Sequence, residues 1–195
     1  MNSKTRNLTS IGVFCAFAYV LTNLGNVIPI RFAGFLSFDP KDVAIVIAGF
    51  ALGPWATLAI SLVVSFIEMI TISQTEFIGF VMNVISSVCF AFIPAFVYKN
   101  RRTFKSALGS LIVSSIITVL VMLLWNYLIT PIYIKVPREA VAEMLLPVFL
   151  PFNAIKCFVN TFLVAILYKP IVNALRKVKL LPPSKRKSYE QNSEN

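Results

Sequence analysis

The stretch Leu150-Pro151-Phe152-Asn153-Ala154-Ile155-Lys156-Cys157-Phe158-Val159-Asn160 decides how this chain folds. It opens a long apolar run, yet it carries amides and a lysine. Asn153, Lys156 and Asn160 fall at i, i+3 and i+7, so a helix stacks them on one face over two turns. A lysine at membrane depth is costly and faces a partner, a cavity or a ligand. Asn126-Tyr127, upstream, again sets an amide in hydrocarbon. The reading is a small polytopic membrane protein with one polar binding face.

Composition agrees. The chain is 57% hydrophobic and 13% charged, with 17 phenylalanines, and its mean hydropathy is +0.80. Soluble domains carry more charge on less apolar residue. A chain of 195 residues has room for about six spans of roughly 20 residues. The expectation is one membrane domain over 1–179 and a polar, disordered cytoplasmic tail over 180–195. The sequence has no histidine, so the usual zinc, haem and Ser-His chemistry has no material, and no metal or cofactor is expected. Cys15, Cys89 and Cys157 lie in apolar stretches without a CxxC and read as small packing residues.

Working outward, the pattern predicts an all-α bundle of six transmembrane helices. The first covers about 8–24 and ends in Asn23, Gly25, Asn26 and Pro29. A loop over 30–40 precedes a short second helix over 42–52, which stops at Gly53-Pro54. Pro54 opens the third helix at its first turn, running to about 72. Ser73-Gln74-Thr75 supplies a cap ahead of Glu76. The fourth covers about 77–98 and the fifth about 108–129, closed by Thr130-Pro131. A short amphipathic outer helix over about 137–146 shows Val141, Met144 and Leu145 as its apolar stripe. The sixth covers about 148–175.

Charge sets the orientation. With both termini inside, 13 of the 18 basic residues fall on inner segments: Lys4, Arg6, Lys99, Arg101, Arg102, Lys105, Lys169, Arg176, Lys177, Lys179, Lys185, Arg186 and Lys187. Such an excess marks the cytoplasmic side of a multi-pass protein in a bacterial cell membrane. The net charge of +10 is therefore a topology signal rather than a nucleic-acid surface. Lys4, Arg6 and Ala16-Phe17-Ala18 imitate a cleaved signal peptide, but the apolar run continues to Leu24, and a retained helix is expected. Gly12 and Ala16 form a small-xxx-small pair that lets a helix approach closely. Packing inside the bundle and docking to a separate subunit are both open from spacing.

Three polar zones converge at the outer half in this topology. Ser37, Asp39, Lys41 and Asp42 flank the start of the second helix. Glu76, Asn83, Ser86 and Ser87 lie on the fourth. Asn126 and Thr130 end the fifth, beside Asn153, Lys156 and Asn160 of the sixth. Phe35, Phe38, Phe80, Tyr127, Tyr133 and Phe152 lie near them. Singly, such residues serve as interhelical hydrogen bonds, caps and interface aromatics. Together they suit a planar, heteroaromatic, polyhydroxylated ligand. Glu68 is a second intramembrane charge, and three readings stay open for it: pairing with Lys156, a protonated carboxyl, or an aqueous vestibule. An integral-membrane enzyme would need clustered carboxylates or histidine, and Asp39-x-x-Asp42 lacks further partners.

These residues carry a resemblance over about 8–175. Phe38-Asp39-Pro40-Lys41-Asp42-Val43, Gly49-Phe50-Ala51-Leu52-Gly53-Pro54, Gly79-Phe80-Val81-Met82-Asn83, Asn126-Tyr127 and Pro151-Phe152-Asn153-Ala154-Ile155-Lys156 resemble the substrate-binding (S) components of energy-coupling-factor (ECF) vitamin transporters, most of all those for riboflavin. The resemblance implies a six-helix bundle with an extracellular vitamin pocket and no catalysis of its own. It implies ligand contacts at Asn126, Asn153 and Lys156 and loop carboxylates at Asp39 and Asp42, and Asn83 of the fourth helix's polar zone is expected to join them. It also implies docking of the Gly12/Ala16 strip on a transmembrane coupling subunit, driven by two cytoplasmic ATPases. This sequence lacks the GxxxxGK[ST] phosphate loop of an ATPase. Riboflavin is the implied ligand. Arg31, Lys41, Lys135 and Arg138 leave room for a phosphate, so flavin mononucleotide is the second form considered.

Overall fold

The structure, a computed structural model, describes residues 3–27, 31–32, 36–37, 39–72 and 76–177. The element order is α1 (Ser3–Val27), β1 (Arg31–Phe32), β2 (Leu36–Ser37), α2 (Lys41–Leu52), α3 (Pro54–Thr71), α4 (Glu76–Arg101), α5 (Phe104–Ile134), α6 (Arg138–Met144), a π-helical turn (Leu145–Phe149) and α7 (Leu150–Lys177). The loop expected between the first two helices contains a minimal antiparallel hairpin, with Arg31 opposite Ser37 and Phe32 opposite Leu36. The expected tail over 180–195 and the cap at Ser73-Gln74-Thr75 lie outside the described residues.

α2 is the hub. Every residue from Lys41 to Phe50 is buried, and α1, α3, α4 and α7 pack around it. Its 12 residues span about 18 Å, too short for a hydrocarbon core of about 30 Å. Five helical stretches are long and apolar enough to cross a membrane: Thr5–Gly25, Pro54–Thr71, Phe77–Arg101, Phe104–Ile132 and Arg138–Leu175. The second expected helix, α2, is thus a buried half-length helix by its geometry. Bulky apolar side chains point outward from the long helices, among them Phe17, Phe66, Leu120, Leu124, Phe158 and Phe162. A soluble surface rarely shows this much contiguous apolar area, whereas lipid accepts it.

Two joints set the geometry. Gly53 has φ +94°, a backbone state that favours glycine, and Pro54 then starts α3. Gly49 is the place of closest approach. A Cβ there would lie 2.5 Å from Thr57 Oγ1 and 2.7 Å from Ala95 Cβ, so α2 meets α3 and α4 with no room for a methyl. At the far end, Phe50, Tyr98, Phe104 and Tyr168 join α2, α4, α5 and α7. The Phe50 and Tyr98 rings are 4.4 Å apart, Phe104 and Tyr168 are 5.1 Å apart, and the two tyrosine hydroxyls meet at 3.1 Å.

Several helices outrun the sequence expectation. α1 extends beyond both of its expected ends, and α5 starts four residues early because Thr103 caps it, accepting from Ser106 N at 3.2 Å. Thr130-Pro131 does not close α5. Pro131 lies inside the helix, which runs on to Ile134 and stops where Lys135 turns left-handed at φ 57°. A proline leaves one carbonyl unpaired, and a helix of 31 residues absorbs that loss near its end. The amphipathic outer helix keeps Val141 fully buried but does not stand apart. It passes through the π-helical turn directly into α7.

Candidate functional site

Helix direction brings the polar residues to one end. Successive helices alternate, so the C-terminal halves of α1 and α3 meet the N-terminal ends of α2, α4 and α7. Glu68, near the end of α3, is the centre of the first group. Its carboxylate pairs with Lys41 Nζ of α2, accepts from Asn83 Nδ2 of α4 at 3.1 Å and lies 2.8 Å from Thr22 Oγ1 of α1. One side chain therefore ties four helices. Lys41 also meets Asp39 Oδ2 at 2.7 Å, and its backbone N donates to Asp39 Oδ1 at 3.0 Å. The side chain of Lys41 is 0% exposed.

A second group joins α4, α2 and α7. Ser87 Oγ donates to Asp42 Oδ1 at 2.5 Å, and Asp42 Oδ2 lies 3.4 Å from Lys156 Nζ. Lys156 keeps 12% of its side chain exposed. Three carboxylates (Asp39, Asp42, Glu68) thus face two ammonium groups (Lys41, Lys156), an arrangement that disfavours an anionic guest. Asp39, in the loop ahead of α2, feels burial that raises its carboxyl. The charges of Lys41 and Lys156 and the hydrogen bonds from Lys41 outweigh it and hold the group below the ordinary carboxylate value.

The amides are arranged separately. Asn126 Nδ2 donates to the Met122 carbonyl at 2.7 Å, and its Oδ1 accepts from Thr130 Oγ1 at 2.9 Å. Asn153 Nδ2 donates to the Phe149 carbonyl at 2.8 Å. That carbonyl belongs to the π-helical turn, where a wider ring of backbone bonds precedes Pro151. Asn153, Lys156 and Asn160 do share a face of α7. Asn160 is buried at 1% exposure, and its Oδ1 has no partner among the described residues. Asn126 and Asn153 each donate to the carbonyl four residues earlier, and an amide nitrogen carries two N–H groups.

Sequence reasoning placed these residues at one end, and the structure corrects how they pair. Glu68 takes Lys41, not Lys156, and Lys156 takes Asp42. Lys41 is sealed between Asp39 and Glu68, away from any phosphate. Asn83 spends an N–H on Glu68. Arg138 lies over the Tyr127 ring, 5.6 Å from its centroid. Phe80 packs against Phe77 and Phe66. Thr22 was missed altogether. Its signal was a hydroxyl on the buried face of α1, in register with Cys15 and Ala18. Gly12 and Ala16 lie on the exposed face of α1, and a Cβ at Gly12 would meet nothing within 4 Å. They are not packed inside the bundle. Phe35 and Phe38 lie outside the described residues, as do the side chains of Ser37, Glu76 and Tyr133.

Fold and site together define a multi-pass membrane protein whose buried charges gather at one end of a helical bundle. Residues 6–168 match the family of ECF transporter substrate-specific components, and the chain belongs to that family. It is 27% identical over 181 residues to the riboflavin transporter RibU of Staphylococcus aureus (strain TCH60), covering 90% of this chain and 95% of that protein. It also superposes on a solved S component of a bacterial ECF transporter with a TM-score of 0.73 and 28% identity, covering 89% of this chain and 99% of the other. As a member of a transporter's substrate-specific family, it is a transport subunit rather than an enzyme.

Proposed function

We propose that this chain is the riboflavin-binding substrate-specificity subunit of an ECF-type importer in a bacterial cell membrane. The observation that carries the reading is the near full-length likeness to RibU. The polar end supplies supporting chemistry. Lys156, Asn153, Asn126 and Asn83 offer donors and acceptors to the pyrimidine edge and ribityl hydroxyls, while Phe80 and Tyr127 offer flat apolar surface to the ring system. Asp39 and Asp42 act mainly by placing Lys41 and Lys156. The carboxylate excess and the sealing of Lys41 favour unphosphorylated riboflavin over flavin mononucleotide.

In this reading the pocket end faces outward and both termini face the cytoplasm. The exposed Gly12/Ala16 strip meets a transmembrane coupling subunit, and the loaded subunit reorients against it as two partner ATPases hydrolyse ATP. Ligand selectivity follows from burial: each polar group that an analogue leaves unmatched costs about 1–3 kcal/mol. The test is to purify the protein from cells grown in rich medium, denature it and identify any released chromophore. Riboflavin is the expected result. A flavin mononucleotide chromophore would overturn the preference for the unphosphorylated form. A colourless protein that instead answers to a different vitamin in a competition panel would keep the family and replace the ligand.

A further inference from the structure

We infer that Ser87 is a positioning residue for the ligand: through Asp42 it fixes where the Lys156 ammonium sits. The inference rests on the riboflavin reading above. Ser87 of α4 and Asp42 of α2 are both buried, with Oγ and Oδ1 2.5 Å apart. An ionised carboxylate only accepts, so the serine proton points at Asp42. Hydroxyls within apolar helices ordinarily turn that proton back onto their own helix. Ser110, Ser115 and Thr118 of α5 do so, each bonding the carbonyl four residues earlier. The Ser87 bond instead crosses to α2.

That crossing has a consequence for α7. Holding Oδ1 fixes the rotation of the Asp42 carboxylate and leaves Oδ2 toward Lys156 at 3.4 Å. Charge-assisted bonds usually close to about 2.7–2.9 Å, and Lys41 makes such a contact to Asp39 at 2.7 Å. Lys156 is therefore oriented without being consumed. Its ammonium carries three N–H donors, and part of its side chain remains exposed. A carbonyl- or hydroxyl-bearing ligand takes those donors. Without the serine proton, the Asp42 carboxylate turns, closes on Lys156 and draws the ammonium away from the ligand.

The isosteric pair Ser87→Thr and Ser87→Val isolates the hydroxyl. Riboflavin is titrated into each full-length protein in detergent, following quenching of flavin fluorescence. Ser87→Thr should bind within about threefold of the unaltered protein, and Ser87→Val about tenfold or more weakly. A merely structural serine would lower the melting temperature of the valine variant and leave the Kd of its folded fraction unchanged, and that result overturns the inference. If Ser87→Val does not fold, Ser87→Ala takes its place with the same expectation. No riboflavin binding by the unaltered protein overturns the riboflavin reading and this inference with it. Unchanged binding by the hydroxyl-free variant beside a tight-binding parent overturns the inference alone.

Discussion

Lys41 and Glu68 form an ion pair sealed from water, and the two residues are 27 positions apart. Removing one member of such a pair strands the other, at a cost of about 3–5 kcal/mol. Lys41→Met should therefore lower the melting temperature in detergent more than Lys41→Met/Glu68→Gln does. A double variant less stable than the single one would show that the pair is not the governing contact. Asp39 gives a pH signature. Its folded-state carboxyl is held low by Lys41 and Lys156 against the opposing effect of burial. Its contribution to stability is thus present above the unfolded value of about 3.9 and is lost as pH falls through the folded one. The melting advantage of the unaltered protein over Asp39→Asn should be full at neutral pH and vanish in strong acid. At the proposed ligand contacts, Lys156→Ala and Asn153→Ala should each weaken riboflavin binding about 5- to 150-fold, from about 1–3 kcal/mol per unmatched group.

At this scale the sequence was partly legible. Lys156, Asn153 and Asn126 stood out because an amide or ammonium in an apolar run has few structural explanations. The pairing did not. Depth along a helix is uncertain by about a turn when helix ends are uncertain, and a turn is about 5.4 Å. That uncertainty is enough to leave the partner of Glu68 open. Thr22 was invisible for a related reason, because a threonine in a membrane helix usually bonds its own backbone. Its hydroxyl does lie 3.2 Å from the Ala18 carbonyl, and only the folded chain shows Glu68 closer still.

Among the elements, α2 was read correctly in extent because Gly53-Pro54 punctuates it and charges open it. The ends of α1, α4 and α5 were read short. Polar residues at those ends looked like loop, but they continue the helices beyond the apolar segments. Pro131 misled for the opposite reason: a proline is a probable stop only where no further turn is wanted. Two element-level outcomes follow. Gly49→Ala should destabilise the protein by about 1–3 kcal/mol, because its methyl would collide with Thr57 and Ala95. A melting temperature unchanged by this substitution would contradict the close approach of α2. Gly12→Leu or Ala16→Leu, on the exposed face of α1, should leave riboflavin binding intact and abolish uptake by cells. Binding lost together with uptake would place the strip inside the fold instead.

The whole molecule has a polar end and an aromatic end joined by a helix too short to cross the bilayer. Composition and hydropathy were sufficient to recognise a helical membrane protein, because apolar length leaves few alternatives. They could not distinguish a half-length buried helix from a full span, since both are apolar all round. Its packing on all sides identifies α2 as the former by geometry, while the alternation of helix direction is kept. The polar groups of five helices, α1, α2, α3, α4 and α7, consequently arrive at one end. We propose that this place holds riboflavin. Titrating riboflavin into the purified, ligand-stripped protein and following its fluorescence tests that claim most directly. The expected result is saturable quenching that ends at one riboflavin per chain and weakens in Lys156→Ala. Fluorescence that stays unquenched with folded protein in excess would contradict it.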